Sequence, residues 1–198
     1  MQPPPPVTRA LLIAVFVMLL LQLIPGLPIG YWFPLEPLQS GIFWPWQVVT
    51  YAFMHRQLGD AFFNMLAFWM FGAELELLWG ARRYIQYLLA SVLAAAAIYL
   101  LVSLVIPGGA LIGAAGAVFG LLLAFGLLFP RRPILFFMVF PTDMRTAVIL
   151  FGVIEIVFTV LQYGATAATN LAHLGGMLGG YLMILWWRRR PPSRARRR

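Results

Sequence analysis

The chain has 198 residues, of which 62% are hydrophobic and 10% are charged, and its net charge is +8. Soluble domains carry about 25% charged residues, so this composition excludes a water-soluble globule and indicates a membrane protein. The sequence contains no cysteine, which excludes disulfides, thiolate catalysis and zinc–thiolate sites. All fourteen basic side chains are arginines in short clusters between apolar runs, a pattern that speaks against a nucleic-acid-binding face.

Six apolar runs are candidates for crossing about 30 Å of hydrocarbon. They are residues 7–24, 61–79, 84–106, 109–129, 146–162 and 171–187. The stretch 25–59 is rich in Trp, Phe and Pro, and we expect it to form a large loop with amphipathic pieces in the membrane interface. The sequence therefore predicts an all-α, polytopic bundle of six transmembrane helices with a large interfacial loop after the first helix.

The arginines give this bundle an orientation, because short loops rich in Lys and Arg stay on the cytoplasmic side. With the N-terminus inside, thirteen arginines lie on the cytoplasmic side and only Arg56 lies outside. We therefore expect both termini in the cytoplasm, in a multi-pass protein of the bacterial cytoplasmic membrane. Residues 1–6 are predicted to be a disordered tail, residues 7–187 the membrane domain, and residues 188–198 a basic tail that attracts anionic lipid.

Polar side chains at membrane depth are costly, so each invites a functional interpretation. Asp60 and Asn64 lie four residues apart at the start of the second run and share a helix face. His173 lies in the sixth run and is open to two interpretations, an interhelical hydrogen bond or a catalytic base. Small residues form stripes that allow close helix packing: Gly113, Gly116 and Gly120 in the fourth run, Gly176 and Gly180 in the sixth.

Four other polar residues are interpreted as structural. Glu155 is expected to be a buried, hydrogen-bonded carboxylate rather than a proton relay, because the sequence suggests no basic partner in a neighbouring run. Glu74 and Glu76 are expected to form ion pairs with Arg82 and Arg83 at the cytoplasmic rim. His55 is expected to be a loop residue.

Three stretches of the chain resemble the rhomboid family of intramembrane serine proteases, from about Trp46 to Trp187. They are WQVVTYAFMHRQLGDAFFNMLAFWMFGAELELLWG at 46–80, GAAGAVFGLL at 113–122 and NLAHLGGMLGG at 170–180. The resemblance implies a serine–histidine dyad, open to water from the outer side, in which the serine attacks a peptide bond and the histidine carries the proton.

The resemblance also implies roles for individual positions. His173 matches the general base, Phe119 the aromatic ring that packs against it, and Asn64 the oxyanion asparagine. The backbone at Gly113 and Ala114 belongs to the oxyanion site. Gly116, Gly176 and Gly180 match the small residues that let the catalytic helices touch.

Three positions depart from the family pattern. Ala115 occupies the nucleophile position, Asp60 the position of the oxyanion histidine, and Gln47 that of an arginine found in many members. Alanine has no hydroxyl group, so no acyl-enzyme can form at position 115. An ionised carboxylate at position 60 would also repel an oxyanion, whereas a protonated one could donate a hydrogen bond to it.

Two explanations of Ala115 remain open. In the first, a serine protease is disabled by replacement of its serine with alanine, and the otherwise intact site favours this explanation. In the second, the protein is a natural pseudoprotease that binds transmembrane clients without cleavage, which Asp60 and Gln47 favour. A small transporter is a third, weaker alternative, since paired intramembrane charges and internal repeats are missing from the sequence.

The expected partners are the lipid bilayer and a transmembrane protein with small, helix-breaking residues near its outer end, a preference that the resemblance implies. Neither nucleic acid, metal nor organic cofactor is indicated, because two distant histidines and scattered carboxylates do not form a ligand set.

Overall fold

A computed structural model describes residues 3–106, 108–136, 139–162 and 164–189. Residues 1, 2 and 190–198, which belong to the two predicted tails, lie outside this description. The described chain is mostly helical, in agreement with the sequence. Its helices are α1 (Pro6–Gln22), α2 (Ile29–Trp32), α3 (Gln47–Thr50), α4 (Leu58–Ala67), α5 (Ala73–Trp79), α6 (Ala81–Ser103), α7 (Ala115–Leu128), α8 (Met144–Leu161) and α9 (Ala165–Arg189).

Among the described residues, three segments are long and apolar enough to cross a membrane: Leu58–Trp79, α6 and α8. The first of them is continuous because a π-helical turn, Phe68–Gly72, joins α4 to α5. Helices α1 and α7 are apolar but shorter, and α9 contains the sixth predicted run. Each of the six predicted apolar runs therefore lies wholly or partly on a helix.

The fourth predicted run, residues 109–129, is helical only from Ala115. The residues before it are extended, and Leu111 exchanges two backbone hydrogen bonds with Leu35 at 2.9 and 3.0 Å. Gly113 then turns the chain with a φ of 124°, a conformation that L side chains rarely adopt. The prediction therefore placed the start of this helix too early, at residue 109 instead of Ala115, because hydropathy contains no information on backbone conformation.

Helix α9 packs closely against both α6 and α7, because glycines face each neighbour. A Cβ atom built on Gly176 would overlap the carbonyl oxygen of Gly116 on α7. A Cβ on Gly179 would overlap the carbonyl oxygen of Ala90 on α6, and one on Gly180 the hydroxyl of Tyr87. The small residues thus allow backbones to touch, as the sequence predicts.

A short hairpin between α7 and α8 was not predicted. Strands β1 (Pro133–Phe136) and β2 (Phe140–Asp143) pair antiparallel, with Ile134 opposite Thr142. Asp143 then accepts hydrogen bonds from the backbone N–H and the hydroxyl of Thr146, at 2.9 and 2.8 Å, and so caps the start of α8. The hairpin adds two short strands to the predicted all-α architecture. Segments of four residues are too short for a periodic hydrophobic pattern to predict a strand.

The acidic residues in the first turn of α5 make contacts that differ from the predicted ion pairs. Glu76 is buried, and its carboxylate accepts from the backbone N–H groups of Val7 and Thr8 at 2.8 and 2.7 Å. Glu74 pairs with Arg132 at the surface. The predicted pairing of both glutamates with Arg82 and Arg83 is therefore wrong. The observed partners, at the start of α1 and after the end of α7, lie near the glutamates in space but far from them in sequence.

Candidate active site

Ala115 is the first residue of α7, directly after the turn at Gly113. The backbone N–H of Gly113 donates to the carbonyl of Tyr51 at 3.0 Å, which ties this turn to the loop before α4. Ala114 is buried within the core. The nucleophile position of the family motif is thus held at a fixed helix N-terminus.

Asn64 and Asp60 lie one turn apart on α4, and their side chains are in direct contact. The Asn64 Nδ2 atom donates to Asp60 Oδ1 at 2.7 Å. A Cβ atom built on Gly113 would lie 3.6 Å from Asp60 Oδ2, so this carboxylate also reaches the turn before α7. The structure therefore brings together Asp60, Asn64 and Gly113, which the resemblance groups as the oxyanion site.

Asn64 also contacts His55, which the sequence predicts to be a structural loop residue. Asn64 Nδ2 lies 3.2 Å from His55 Nε2, and both side chains are buried. Because the asparagine amide donates, Nε2 accepts and the ring proton lies on Nδ1. Burial lowers the pKa of His55, and the nearby Asp60 opposes this shift only in part. His55 thus extends the polar cluster around Asn64.

His173 projects from α9 and lies against α7 and α8. Its ring stacks on Phe119 with a centroid distance of 5.2 Å and an interplanar angle of 18°. Its Nδ1 atom lies 3.1 Å from Oε1 of Glu155 on α8, and the two side chains are only 17% and 12% exposed. Phe119 follows Ala115 by one helical turn, so the histidine lies over the helix face that Ala115 begins.

The contact with Glu155 corrects one expectation from the sequence. Glu155 is hydrogen-bonded, as predicted, and part-buried, but it does have a basic partner in a neighbouring helix. Positions 155 and 173 lie on different helices with no motif linking them, and the sequence contains no signal that could have paired them.

The glycines predicted to support the site act at two different interfaces. Gly116 and Gly176 form the crossing of α7 and α9, one turn from His173. Gly180 packs against Tyr87 on α6 instead. Of these three glycines, Gly116 and Gly176 allow the close approach of α7 and α9, the helices that carry Ala115 and His173.

Gln47, the third departure from the family pattern, is the first residue of α3 and is fully buried. Its Oε1 atom accepts from the backbone N–H groups of Glu36 and Trp44, each at 3.2 Å. Its Nε2 atom donates to the carbonyl of Ile42 at 3.3 Å. The side chain satisfies three backbone groups of the loop, so its observed contacts are structural.

The part of the chain that carries these residues is similar to known proteins. The Rhomboid domain family matches residues 43–190. Rhomboid protein 1, mitochondrial, of Saccharomyces cerevisiae is 34% identical over 141 residues, which cover 68% of this chain and 40% of the yeast protein. Rhomboid protease GluP of Bacillus subtilis is 27% identical over 138 residues, which cover 69% of this chain and 25% of that protein.

The chain thus spans less than half the length of these two relatives. The match nevertheless includes all three motifs and every residue of the candidate site. Together with its apolar helices, it identifies the chain as an integral membrane protein that belongs to the rhomboid family.

Proposed function

We propose that this protein is a rhomboid-type intramembrane serine endopeptidase in a form without its nucleophile, so that it binds transmembrane substrates but does not cleave them. The observation that supports this proposal is the contact of His173 with Phe119 on the helix that begins at Ala115. In this proposal His173 is the general base, over the helix face on which Ala115 replaces the nucleophile.

A serine at position 115 would complete a simple reaction. Its oxygen would attack the substrate carbonyl carbon while its proton passes to His173, and the histidine would return that proton to the leaving amine. Water would then hydrolyse the acyl-enzyme. The methyl group of Ala115 can neither attack the carbonyl carbon nor lose a proton. The rest of the site is therefore insufficient for cleavage through an acyl-enzyme.

The oxyanion side of the site is also altered. The Asn64 amide group that would stabilise a developing oxyanion already donates to Asp60. Loss of one such donor costs about a hundredfold or more in rate, and an ionised carboxylate nearby adds repulsion. We therefore expect the serine form of this chain to be slower than a form that also has histidine at position 60.

The proposed topology has six spans with both termini in the cytoplasm, in a bacterial cytoplasmic membrane. The arginine distribution supports this orientation. Small, helix-breaking residues near the outer end of a transmembrane segment would let that segment unwind into the site. Cleavage near the outer face would follow from such a geometry.

A second candidate function is that of a natural pseudoprotease, and the Asp60–Asn64 hydrogen bond favours it. In such a site the Asn64 amide is used for an internal contact, and the nucleophilic hydroxyl is missing at Ala115. Two catalytic groups are therefore lost. In that case client binding would be the whole activity, and restoring one hydroxyl would not produce cleavage.

The experiment that separates the two candidates restores the hydroxyl. A115S and A115S/D60H are reconstituted in liposomes with a transmembrane substrate that has helix-breaking residues near its outer end. Cleavage by either variant that disappears with H173A supports the protease. No cleavage by A115S/D60H, with client binding unchanged from the starting chain, supports the pseudoprotease. Absence of both cleavage and client binding would overturn both candidates.

A further inference from the structure

We propose that Glu155 is a positioning residue for His173, which makes the site a three-membered array rather than a dyad. Its carboxylate accepts a hydrogen bond from Nδ1–H of the histidine, so that Nε2 is left with its lone pair for the nucleophile position. The catalytic part of this inference rests on the proposed function, whereas the tautomer of His173 is a property of the chain as it stands.

The geometry of the pair is that of a carboxylate orienting an imidazole. Glu155 Oε1 and His173 Nδ1 are 3.1 Å apart, and both side chains are largely buried. A carboxylate can only accept a hydrogen bond, so when the imidazole is neutral its one ring proton lies on Nδ1. Such a contact fixes which ring nitrogen is basic, and it is stronger in a medium of low dielectric constant than in water.

Two contacts together restrict the ring. The stack on Phe119 holds the plane of the imidazole, and the Glu155 contact holds its rotation within that plane. Each constraint comes from a different helix, α7 for the stack and α8 for the carboxylate. Nε2 is the ring nitrogen that neither constraint uses.

The position of Glu155 on α8 also calls for an explanation beyond packing. This helix exposes large apolar side chains, among them Val153, Ile156 and Val157. Glu155 instead turns inward, and its Oε2 atom is buried with no hydrogen-bond partner among the described residues. A buried carboxylate with one unsatisfied oxygen costs free energy, which an apolar residue at this position would avoid.

In a serine form of the protein, the carboxylate would act during acylation. The proton of the serine hydroxyl moves to Nε2, which converts the neutral ring into an imidazolium. Glu155 then faces a positive ring and stabilises it without itself taking the proton. It would thus raise the rate of the chemical step more than it would tighten substrate binding.

The first test reads the tautomer directly in the chain as it is. The sequence has two histidines, so a sample labelled with ¹⁵N-histidine gives two side-chain spin systems, and H55Q assigns the one from His173. We expect His173 to carry its proton on Nδ1. In E155L, which removes the acceptor opposite Nδ1, the Nε2–H form should become the major one.

A matched control is E74Q, which removes a carboxylate that pairs with Arg132 at the surface. It should leave both His173 nitrogen signals unchanged. If His173 in folded E155L showed the same signals as in the starting chain, the proposal would be overturned. Helical circular dichroism on the same samples establishes that each variant is folded.

The second test uses A115S with a transmembrane substrate. We expect A115S/E155Q to lower kcat by about ten-thousandfold while KM changes less than about threefold, by analogy with the loss of an orienting carboxylate in serine enzymes. A loss confined to KM, or an unchanged kcat, would overturn the catalytic role. If A115S itself were inactive, the proposed function would fail, while the tautomer measurement would still decide whether Glu155 orients His173.

Discussion

The side-chain amide of Asn64 donates to the carboxylate of Asp60, one helical turn earlier, at 2.7 Å. This contact links the two positions to which the resemblance assigns oxyanion binding. Because Asp60 Oδ2 also approaches the turn at Gly113, a carboxyl group lies next to the turn that precedes Ala115. The contact therefore predicts that position 60 governs how much activity a restored serine can show.

Replacement of Asp60 in a serine background should raise the rate of cleavage. A115S/D60H removes the carboxylate and frees the Asn64 amide, and we expect it to cleave a transmembrane substrate about a hundredfold faster than A115S, since one oxyanion donor is worth about that factor. The measurement is kcat in liposomes. D60N in the same background is the matched control: it removes the charge alone and should give an intermediate rate. Equal rates for all three would contradict the prediction.

Acid should destabilise the protein through His55. Burial lowers the pKa of this histidine below its ordinary value of 6.5, so the folded state favours the neutral ring. Protonation would also place an N–H donor on Nε2, opposite the Asn64 amide 3.2 Å away. Stability from this group is complete above about pH 6.5 and is lost as the pH falls through the lower folded pKa. Thermal unfolding in detergent between pH 4 and pH 8 measures the effect.

H55Q provides the comparison for that measurement, because glutamine does not titrate. Its unfolding temperature should be less sensitive to acid than that of the starting chain, whatever its value at neutral pH. A pH dependence of the same size in both proteins would assign the acid sensitivity to other groups.

The sequence was sufficient to predict a mostly helical membrane protein and the positions of the motifs. It did not predict where α7 begins or the contacts between elements far apart in the chain. The pairing of Asp60 with Asn64 follows from their spacing of four residues on one helix. The stack of His173 on Phe119 was predicted because two matching motifs implied it. The contact of His173 with Glu155 depends on how α8 packs against α9, which no local pattern encodes.

Gly176 should tolerate no side chain, because its Cα faces the backbone of Gly116. A Cβ atom there would overlap the Gly116 carbonyl oxygen, and a backbone atom cannot rotate away. We expect G176A to lower the free energy of unfolding by about 1–3 kcal/mol, the usual cost of overpacking. G152A on α8 is the matched control, since a Cβ there meets nothing within 4 Å. It should be neutral or slightly stabilising. Thermal unfolding of the two variants in one detergent tests the difference.

The start of α1 should depend on Glu76 more than the rest of the fold does. The first N–H groups of a helix have no partners within the helix, and Glu76 satisfies those of Val7 and Thr8 while accepting from the Thr8 hydroxyl. In E76Q one of the two acceptor oxygens becomes an NH₂ group, which would face a donor. We expect a loss of about 1–3 kcal/mol, the cost of an unsatisfied buried polar group.

Hydrogen exchange distinguishes this local effect from general destabilisation. In E76Q the amides of the first turn of α1 should exchange faster, while those of α9 should change little. E74Q is the matched control, because its exposed pair with Arg132 is worth at most about 1 kcal/mol and lies away from α1. Uniformly faster exchange in all helices of E76Q would show that the glutamate supports the whole bundle rather than the N-terminus of α1.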